Sequence, residues 1–407
     1  MKYSLIFVLA IMLLPDMAFG QSKKNTLKNK ESRPYKNAAL PIETRVADLL
    51  QQMTMDEKVA QLMCYWLDKK YFINKGVFEP AKAGPYLSNG IGEIARPNEL
   101  SVSESIDPVA TVKLVNALQR YMLEQTRLGI PILFHEESLH GNQAKDATHF
   151  PSPLGMSCSW NEQLFSEVYN VVAKEVYARG ARHVLAPVVD VTRDPRWGRT
   201  EETMGEDHLL VARLATSAIK SYQGAWPSLG KNKVATTLKH FGIHGQPEGG
   251  VNIGPVSMDE RSARASLLYP FQYCVQNTDV EAIMPCYNEL NGEPVHASRY
   301  YLTEVLRKQL GFKGLVVSDY FAIGELMTIH QVAADSLEAA YKSFKAGVDV
   351  ELPDPAFYKN LKALVAKGRI THAEIDSSVA RVLRLKFKLG LFENPYPSKD
   401  RLQKIGS

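Results

Sequence analysis

The chain has 407 residues, of which 45% are hydrophobic and 23% are charged, a composition that excludes a disordered or low-complexity protein. Its formal net charge is only +4, and its richest basic stretch, residues 23–36, precedes the patterned part of the chain. Because no helical or strand segment repeats a basic face with interleaved aromatic residues, we expect no nucleic-acid partner.

Residues 1–20 have the features of a secretory signal peptide. Lys2 supplies a positive start, residues 5–14 are apolar, and Ala18 and Gly20 form a small-x-small cleavage site. The apolar run is too short to span a bilayer, and no later run is long enough. We therefore expect an exported chain, periplasmic or extracellular, without a membrane span; a buried N-terminal helix is the alternative.

The rest of the chain divides into a polar arm at residues 21–39, a patterned domain at residues 40–392 and a linker-like tail at residues 393–407. Capping boxes predict helix starts at Thr54, Ser159 and Thr371, and Gly180 and Gly224 predict helix ends. The predicted strands are residues 91–95, 132–136, 183–189, 235–240, 282–287, 315–318 and 348–352, with an eighth near Gly155. The predicted helices between them include residues 161–179, 206–222, 259–276, 299–309 and 334–345.

This alternation of strands and helices predicts an α/β fold with a parallel sheet, either open or closed. The glycine fingerprints of nucleotide-binding open sheets, G-x-G-x-x-G and G-x-x-x-x-G-K-[ST], do not occur. Instead, polar and charged residues follow successive strands, and in a closed barrel those ends meet at one mouth. We therefore predict a TIM-type (β/α)8 barrel, with one strand irregular or missing.

The cysteines and histidines predict no metal site and no cofactor. Cys64, Cys158, Cys274 and Cys286 are far apart and lack C-x-x-C spacing, so we expect buried free thiols. No H-E-x-x-H pair occurs either.

The strand-end residues are the candidates for chemistry. Asp319 is the most informative, because an apolar run leads to this carboxylate and the aromatic Tyr320 follows it. A carboxylate beside a ring that can stack on a sugar suits a glycosidase nucleophile, although a helix N-cap is an equal reading of an isolated strand-end Asp. The other strand-end residues are Glu136, Glu137, Asp190, Lys239 and His240.

Together, five motifs resemble glycoside hydrolase family 3: F-H-E-E-S-L-H-G at residues 134–141, R-D-P-R-W-G-R at 193–199, K-H-F at 239–241, G-Q-P-E-G-G at 245–250 and G-L-V-V-S-D-Y at 314–320. The resemblance covers residues 40–395 and implies an exo-acting retaining β-glycosidase, a β-glucosidase or β-xylosidase, whose substrate is a glycoside or oligosaccharide. It implies that Asp319 is the nucleophile that forms the glycosyl-enzyme. The substrate-binding residues that it implies are Glu137, Arg199, Glu202, Lys239, His240, Met284 and Tyr287. We add Tyr320, the neighbour of Asp319, to this set.

The chain departs from this family in its acid/base residue, which one branch carries as D-S-H after K-H-F and the other carries on a second domain. The loop after Phe241 has no D-S-H, and the chain stops at Ser407. We therefore expect the acid/base residue on a second domain that is missing here or separately encoded. A local substitute, either His244 or Glu248, is the alternative.

Two other functions remain open at this stage. A catalytically silent carbohydrate-binding barrel fits the missing acid/base, but Asp319 argues against it. A lone-barrel β-N-acetylglucosaminidase fits the length but lacks the expected D-S-H. For Asp194 and Arg196 we prefer a structural role, in a salt-bridged loop at the mouth.

Overall fold

Seven short parallel strands form the central sheet of this computed structural model, which describes residues 33–224, 229–230, 232–398, 400 and 402. The predicted signal peptide and most of the predicted arm lie outside these residues. The strands follow one another in the sheet in the order of the chain, and each adjacent pair is parallel. They are β1 (Cys64–Tyr65), β2 (Glu93–Ala95), β3 (Leu133–Glu136), β4 (His183–Val184), β5 (Ala235–Phe241), β6 (Ala282–Pro285) and β7 (Leu315–Val316).

An eighth segment closes the sheet into a barrel. Val350 forms a parallel bridge with Val317, directly after β7. On its other side, the Glu351 N–H donates to the carbonyl oxygen of Leu62, 3.0 Å away and just before β1. Residues 348–352 thus take the place of the eighth strand, and the predicted (β/α)8 barrel with one irregular strand is confirmed.

The predicted position of one strand was wrong. Gly155 lies in the helix Pro153–Ser157, where Ser152 caps the first turn and Pro153 occupies its first position. The strand that the sequence prediction missed is β1, whose two residues are too few to show a periodic pattern. The other predicted strands are present, but several are shorter: after β4, pairing resumes only at the isolated bridge between Val188 and Lys239.

Helices surround the barrel, and the predicted helix at residues 259–276 is interrupted. Pro270 has no N–H to donate, and before it the Leu268 N–H bonds to the carbonyl of Ala263, five residues back. The helices are Ile42–Gln52, Met55–Ala60, Pro80–Leu87, Pro108–Gln125, Pro153–Ser157, Glu162–Arg179, His208–Gln223, Glu260–Ser262, Tyr269–Asn277, Ala322–Thr328, Ser336–Ala346, Leu361–Ala366 and His372–Lys388, with π-helical turns at Ala263–Leu267 and Tyr300–Gln309. Short two-stranded hairpins pair Ile73–Asn74 with Val77–Phe78, Glu99–Ser101 with Glu104–Ser105, and Glu289–Leu290 with Glu293–Pro294.

The capping predictions were mostly right. Thr54 and Thr371 each form a complete capping box. Ser159 does not cap its helix; Asn161 does, because its side chain accepts from the Leu164 N–H at 3.1 Å. Gly180 and Gly224 end their helices at φ of 106° and 96°, where a Cβ would be strained.

Both ends of the described chain pack on the barrel. The Tyr35 side chain is fully buried, and its hydroxyl donates to the carbonyl of Leu128. Near the other end, Glu393 pairs with Arg45. None of the helices in the described part of the chain combines the length and apolar character that a bilayer crossing requires.

All four cysteines are free, as predicted. Cys64, Cys274 and Cys286 are buried, but the prediction was wrong for Cys158, which is exposed beside the short helix Pro153–Ser157.

Candidate active site

The carboxyl ends of β3 and β5 open onto a cavity of about 380 Å³. Glu137 follows β3, Lys239 lies near the end of β5, and Arg199 and Glu202 come from the loop after β4. The mouth of the barrel therefore brings four of the predicted site residues together. The cavity is lined by Arg96, Glu137, Leu139, His140, Gly141, Gln143, His149, Arg199, Glu201, Glu202 and Lys239.

A larger cavity, of about 610 Å³, lies at the opposite end of the barrel. Its walls include Glu281 and Gly314, which precede β6 and β7. Because the strand-end residues do not line it, we assign the chemistry to the smaller cavity at the mouth.

Asp319 stands two residues beyond Val317, which forms the bridge to Val350, and its side chain is almost fully buried. Its Oδ1 accepts the Tyr320 N–H at 2.7 Å, and its own N–H donates to His296 Nε2 at 3.0 Å. Among the described residues, its Oδ2 has no hydrogen-bond partner. One carboxylate oxygen is thus fixed and the other is left for a ligand.

Burial raises the pKa of Asp319 above its usual value, and the charges of Arg199 and Lys239 oppose this rise. The cations around this carboxyl thus favour its ionised form against the effect of burial.

His240 lies next to this free oxygen, with its Nε2 3.6 Å from Asp319 Oδ2. Arg199 Nη2 is 3.0 Å from the same Nε2, and Asp190 Oδ2 is 2.8 Å from Nδ1. Since a guanidinium can only donate, Nε2 accepts and the ring proton sits on Nδ1, donated to Asp190. Burial and the charge of Arg199 hold the pKa of His240 well below its usual value, so the imidazole is neutral.

Two ion pairs complete the polar wall of the mouth. Arg199 donates from Nε and Nη2 to the two oxygens of Glu202, each at 2.8 Å. Lys239 Nζ donates to Glu137 Oε2 at 2.8 Å. Although burial raises the pKa of Glu137, Lys239 and Arg96 hold it below its usual value. These groups present charged donors and acceptors with fixed orientations to a hydroxyl-rich ligand.

The three remaining predicted site residues differ in position. The Tyr287 hydroxyl donates to the carbonyl of Tyr320 at 3.1 Å, which places its ring beside Asp319. The Tyr320 hydroxyl lies 2.8 Å from His135 Nε2, and its ring packs against Trp66. Met284 is buried on β6 and does not line the cavity.

The candidate substitutes for the acid/base lie in different environments. His244 is fully buried, with its ring centroid 4.6 Å from that of His240, and burial with the charge of Arg199 holds its pKa well below the usual value. Glu248 is exposed and accepts from the Ser257 hydroxyl at 2.9 Å. Asp194 and Arg196 form an ion pair at 2.7 Å in which Arg196 is exposed and Asp194 is partly buried, and the structural role of this pair stays a prediction.

Two clusters of acidic and histidine side chains have ligand atoms within 4.8 Å of one another. In the first, below the mouth, every ring nitrogen of the two histidines already faces an oxygen of a neighbouring side chain. In the second, the guanidinium of Arg199 already faces His240 Nε2, and its charge disfavours a second cation there. The clusters are Glu93, His135 and His183, and Asp190, His240 and His244.

The sequence prediction missed three residues of the mouth. Arg96 directly follows β2 and lies 3.4 Å from Glu137, so the strand-end rule could have found it. Trp66 directly follows β1, a strand that was not predicted. Glu325 lies on the helix after Asp319, and burial and the charge of Asp319 raise its pKa to about 7.

Comparisons with known proteins show which family the chain matches. The family model described as glycosyl hydrolase family 3 N terminal domain matches residues 54–385. A periplasmic β-glucosidase of Salmonella typhimurium is 34% identical over 351 residues, which cover 86% of this chain and 43% of the relative. A β-xylosidase of Formosa agariphila is 34% identical over 335 residues, which cover 76% of this chain and 46% of the relative.

Among solved structures, a β-glucosidase from Erythrobacter marinus superposes with a TM-score of 0.83 at 33% identity. The match covers 92% of this chain and 50% of that chain. The chain thus spans about half the length of the curated relatives it matches.

Proposed function

Because this chain belongs to glycosyl hydrolase family 3, we propose that it is the barrel of an exo-acting β-glycosidase. Its substrates would be β-linked gluco- or xylo-oligosaccharides, cleaved at the terminal non-reducing sugar. The relatives named β-glucosidase and β-xylosidase support this substrate class. Both kinds of relative have the same identity to this chain, so the proposed class covers glucosides and xylosides.

The observation that carries the proposal is the free Oδ2 of Asp319, buried at the barrel mouth beside a neutral imidazole and a guanidinium. In the first step of retaining hydrolysis, this oxygen attacks the anomeric carbon as the bond to the leaving oxygen breaks. The product is a glycosyl-aspartate, and the leaving oxygen takes a proton. Water then attacks the same carbon, loses a proton and releases Asp319.

The polar wall gives the second reason for a sugar ligand. Glu137 accepts from hydroxyls, whereas Lys239 and Arg199 donate to them. Contacts that tighten as the sugar ring flattens toward an oxocarbenium ion lower the barrier to attack. We assign these residues to the terminal sugar, whose anomeric carbon would then face Asp319.

We propose that the acid/base comes from a second domain. Two features of the barrel favour an outside donor over the local substitutes. His244 is buried with a lowered pKa, which makes it a weak base, and Glu248 points to Ser257 rather than into the mouth. General acid/base assistance is worth roughly 10²- to 10⁴-fold in rate, so natural glycosides depend on it.

Covalent trapping tests the nucleophile without needing that acid. A 2-deoxy-2-fluoro dinitrophenyl glycoside has a leaving group that departs unprotonated, so we expect the purified chain to gain one fluoroglycosyl unit. Peptide mass spectrometry should place the adduct on the peptide that contains Asp319, and Asp319→Asn should gain none. A folded parent chain that is trapped by neither the glucosyl nor the xylosyl reagent would instead favour a silent carbohydrate-binding barrel.

We also propose that the mature chain is exported. The signal-peptide features of residues 1–20 support this location, and the Salmonella relative is named as a periplasmic enzyme.

A further inference from the structure

A polar cavity of about 270 Å³, here called the side cavity, lies between the hairpin at residues 99–105 and the loop at residues 143–149. It adjoins the cavity at the mouth, because two exposed side chains, Gln143 and His149, line both. The Gln143 N–H donates to the carbonyl oxygen of Glu137 at 2.9 Å, which ties this shared edge to the polar wall of the mouth. A ligand that contacts Glu137 can therefore extend past the edge into the side cavity.

The walls of the side cavity carry hydrogen-bonding groups of both kinds. The hairpin contributes the hydroxyls of Ser101, Ser103 and Ser105, and the facing loop contributes the charged donor Lys145. A serine hydroxyl both donates and accepts, so it can pair with either side of another hydroxyl group. This lining suits a ligand that is itself rich in hydroxyls, such as a sugar.

Two residues at the base of the hairpin connect the side cavity to the barrel. Asn98 is fully buried, and its Nδ2 donates to the two oxygens of Glu136 at 2.9 and 3.0 Å. Its Oδ1 has no hydrogen-bond partner among the residues that the structure describes. Glu99 accepts from Trp66 Nε1 at 3.0 Å and from Arg96 Nη1 at 3.3 Å. These bonds fix the inner wall and leave it one buried acceptor that no described side chain uses.

The side cavity and Asp319 lie on different sides of the mouth. The side cavity is built on residues that follow β2 and β3, whereas Asp319 follows β7. In the barrel, β1 and the eighth segment separate these strands on one side, and β4, β5 and β6 separate them on the other. In a pyranose ring, carbon 4 lies opposite the anomeric carbon. A sugar whose anomeric carbon is at Asp319 and whose hydroxyls contact Glu137 would therefore direct carbon 4 toward the shared edge.

We propose that the side cavity binds a second sugar, linked through oxygen 4 of the sugar that Asp319 attacks. This inference rests on the proposed function, because it takes Asp319 as the nucleophile and the polar wall as the site of the attacked sugar. It widens that function, since the barrel would cleave after a terminal β-1,4-linked disaccharide as well as after a single terminal sugar. The ligand class is a neutral gluco- or xylo-disaccharide at the chain end.

Two dinitrophenyl trapping reagents test this inference. One carries a single 2-deoxy-2-fluoro sugar, and in the other the same fluorinated sugar bears a second sugar on oxygen 4; both are made with glucose and with xylose. Their leaving group is the same and needs no acid, so they differ only in the group that enters the side cavity. For the parent chain, we expect half-maximal trapping at an about 3- to 10-fold lower concentration of the disaccharide reagent, the size of one added hydrogen bond. Peptide mass spectrometry should find the intact disaccharide on the peptide that contains Asp319.

Two variants in the facing loop separate the side cavity from the mouth. Lys145→Ala removes the charged donor and Ala144→Phe fills the space with a ring, and neither residue lines the cavity at the mouth. We expect both variants to lose the advantage of the disaccharide reagent. With the single-sugar reagent they should keep the parent rate, which also shows that they are folded. Lys113→Ala removes an exposed lysine of the helix Pro108–Gln125 and should behave as the parent with both reagents.

Each remaining outcome overturns something specific. No advantage of the disaccharide reagent in a parent chain that the single-sugar reagent traps would mean that the side cavity binds no second sugar. An advantage that both loop variants keep would place the second sugar elsewhere, and equal losses with both reagents would mean that the loop shapes the mouth itself. These three results overturn the inference alone. A folded parent chain that neither reagent traps would overturn the proposed function and the inference together.

Discussion

Arg199 and Arg196 belong to one sequence motif but have different surroundings. Arg199 pairs with Glu202 and reaches His240, whereas Arg196 is exposed and pairs with Asp194. Of these two arginines, only Arg199 affects the ionisation of Asp319, the proposed nucleophile, since its charge is the largest influence lowering the pKa of Asp319.

We therefore predict that Arg199→Ala slows trapping by the dinitrophenyl reagent and moves its acid limb to higher pH. Asp319 reacts as the carboxylate, and removing the cation raises its pKa, so activity is lost earlier as the pH falls. Loss of a hydrogen bond from a charged donor suggests a roughly 10- to 100-fold lower rate. Trapping rates as a function of pH, followed by intact-protein mass spectrometry, measure both effects.

Arg196→Ala is the matched control, and its rate and pH profile should equal those of the parent. A shift of the acid limb in Arg196→Ala of the same size as in Arg199→Ala would show that the motif acts through the loop as a whole.

The strand-end rule explains which site residues the sequence could predict. Glu137, Lys239 and Asp319 follow or end readable strands; the first two line the cavity at the mouth, and Asp319 lies 3.6 Å from His240, the neighbour of Lys239 in the chain. Trp66 could not be found in this way, because β1 has only two residues.

At the scale of elements, one buried carboxylate joins four segments of the barrel wall. Asp349 is fully buried and lies in the segment that replaces the eighth strand. It accepts from Arg307 at 2.8 Å, from Arg381 at 2.7 Å and from the Val316 N–H at 3.0 Å. It thus ties this segment to β7, to the π-helical turn Tyr300–Gln309 and to the helix His372–Lys388.

We predict that Asp349→Asn destabilises the fold by ~3–5 kcal/mol, because it leaves two partly buried guanidinium groups without their counter-charge. Urea denaturation measures this difference. Burial raises the pKa of Asp349, but Arg381 and Arg307 outweigh burial and hold it below its usual 3.8. The stabilisation by Asp349 is therefore present above pH 3.8 and is lost as the pH falls through the lower pKa of the folded state. The difference in unfolding free energy between Asp349→Asn and the parent should shrink in that range.

Asp56→Asn is the comparison for this variant, since Asp56 pairs with Lys362 at the exposed surface. We expect a much smaller loss of unfolding free energy from Asp56→Asn. Equal losses in the two variants would mean that Asp349 does not hold the four segments together.

The elements show where prediction from sequence stops. Apolar runs located the strands, but β4 and β7 each keep only two residues in the hydrogen-bonded sheet. The length of an apolar run does not show how many of its residues pair. The π-helical turn Ala263–Leu267 arises from a shift of hydrogen bonds before Pro270, which helical periodicity does not show.

For the whole molecule, the alternation of elements predicted the barrel, but the closing contact could not be read from it. The bond between Glu351 and Leu62 joins segments from the two ends of the domain. The last helix reinforces this closure, because Lys386 is fully buried under the barrel and donates to Gln61 at 2.7 Å and to the carbonyl of Ile91 at 3.3 Å.

Lys386 should make the stability of the barrel depend on pH in a defined direction. Burial lowers its pKa from 10.5 to about 7, with Glu93 opposing the fall. The folded state thus favours the neutral amine, whereas the unfolded chain stays protonated up to about 10.5. Below about pH 7, folding carries the full free-energy cost of burying the protonated amine. This cost falls as the pH rises from there toward 10.5.

We therefore predict that Lys386→Met is more stable than the parent at about pH 6, by ~1–4 kcal/mol, since a buried charge is replaced by an apolar chain of similar size. At about pH 9 the advantage should shrink or reverse, because the neutral lysine keeps its hydrogen bonds to Gln61 and Ile91. Urea denaturation at the two pH values measures the difference.

Lys362→Met, at an exposed ion pair, should show no such pH dependence. A constant difference between Lys386→Met and the parent would mean that Lys386 keeps its charge under the barrel, with Glu93 as its partner.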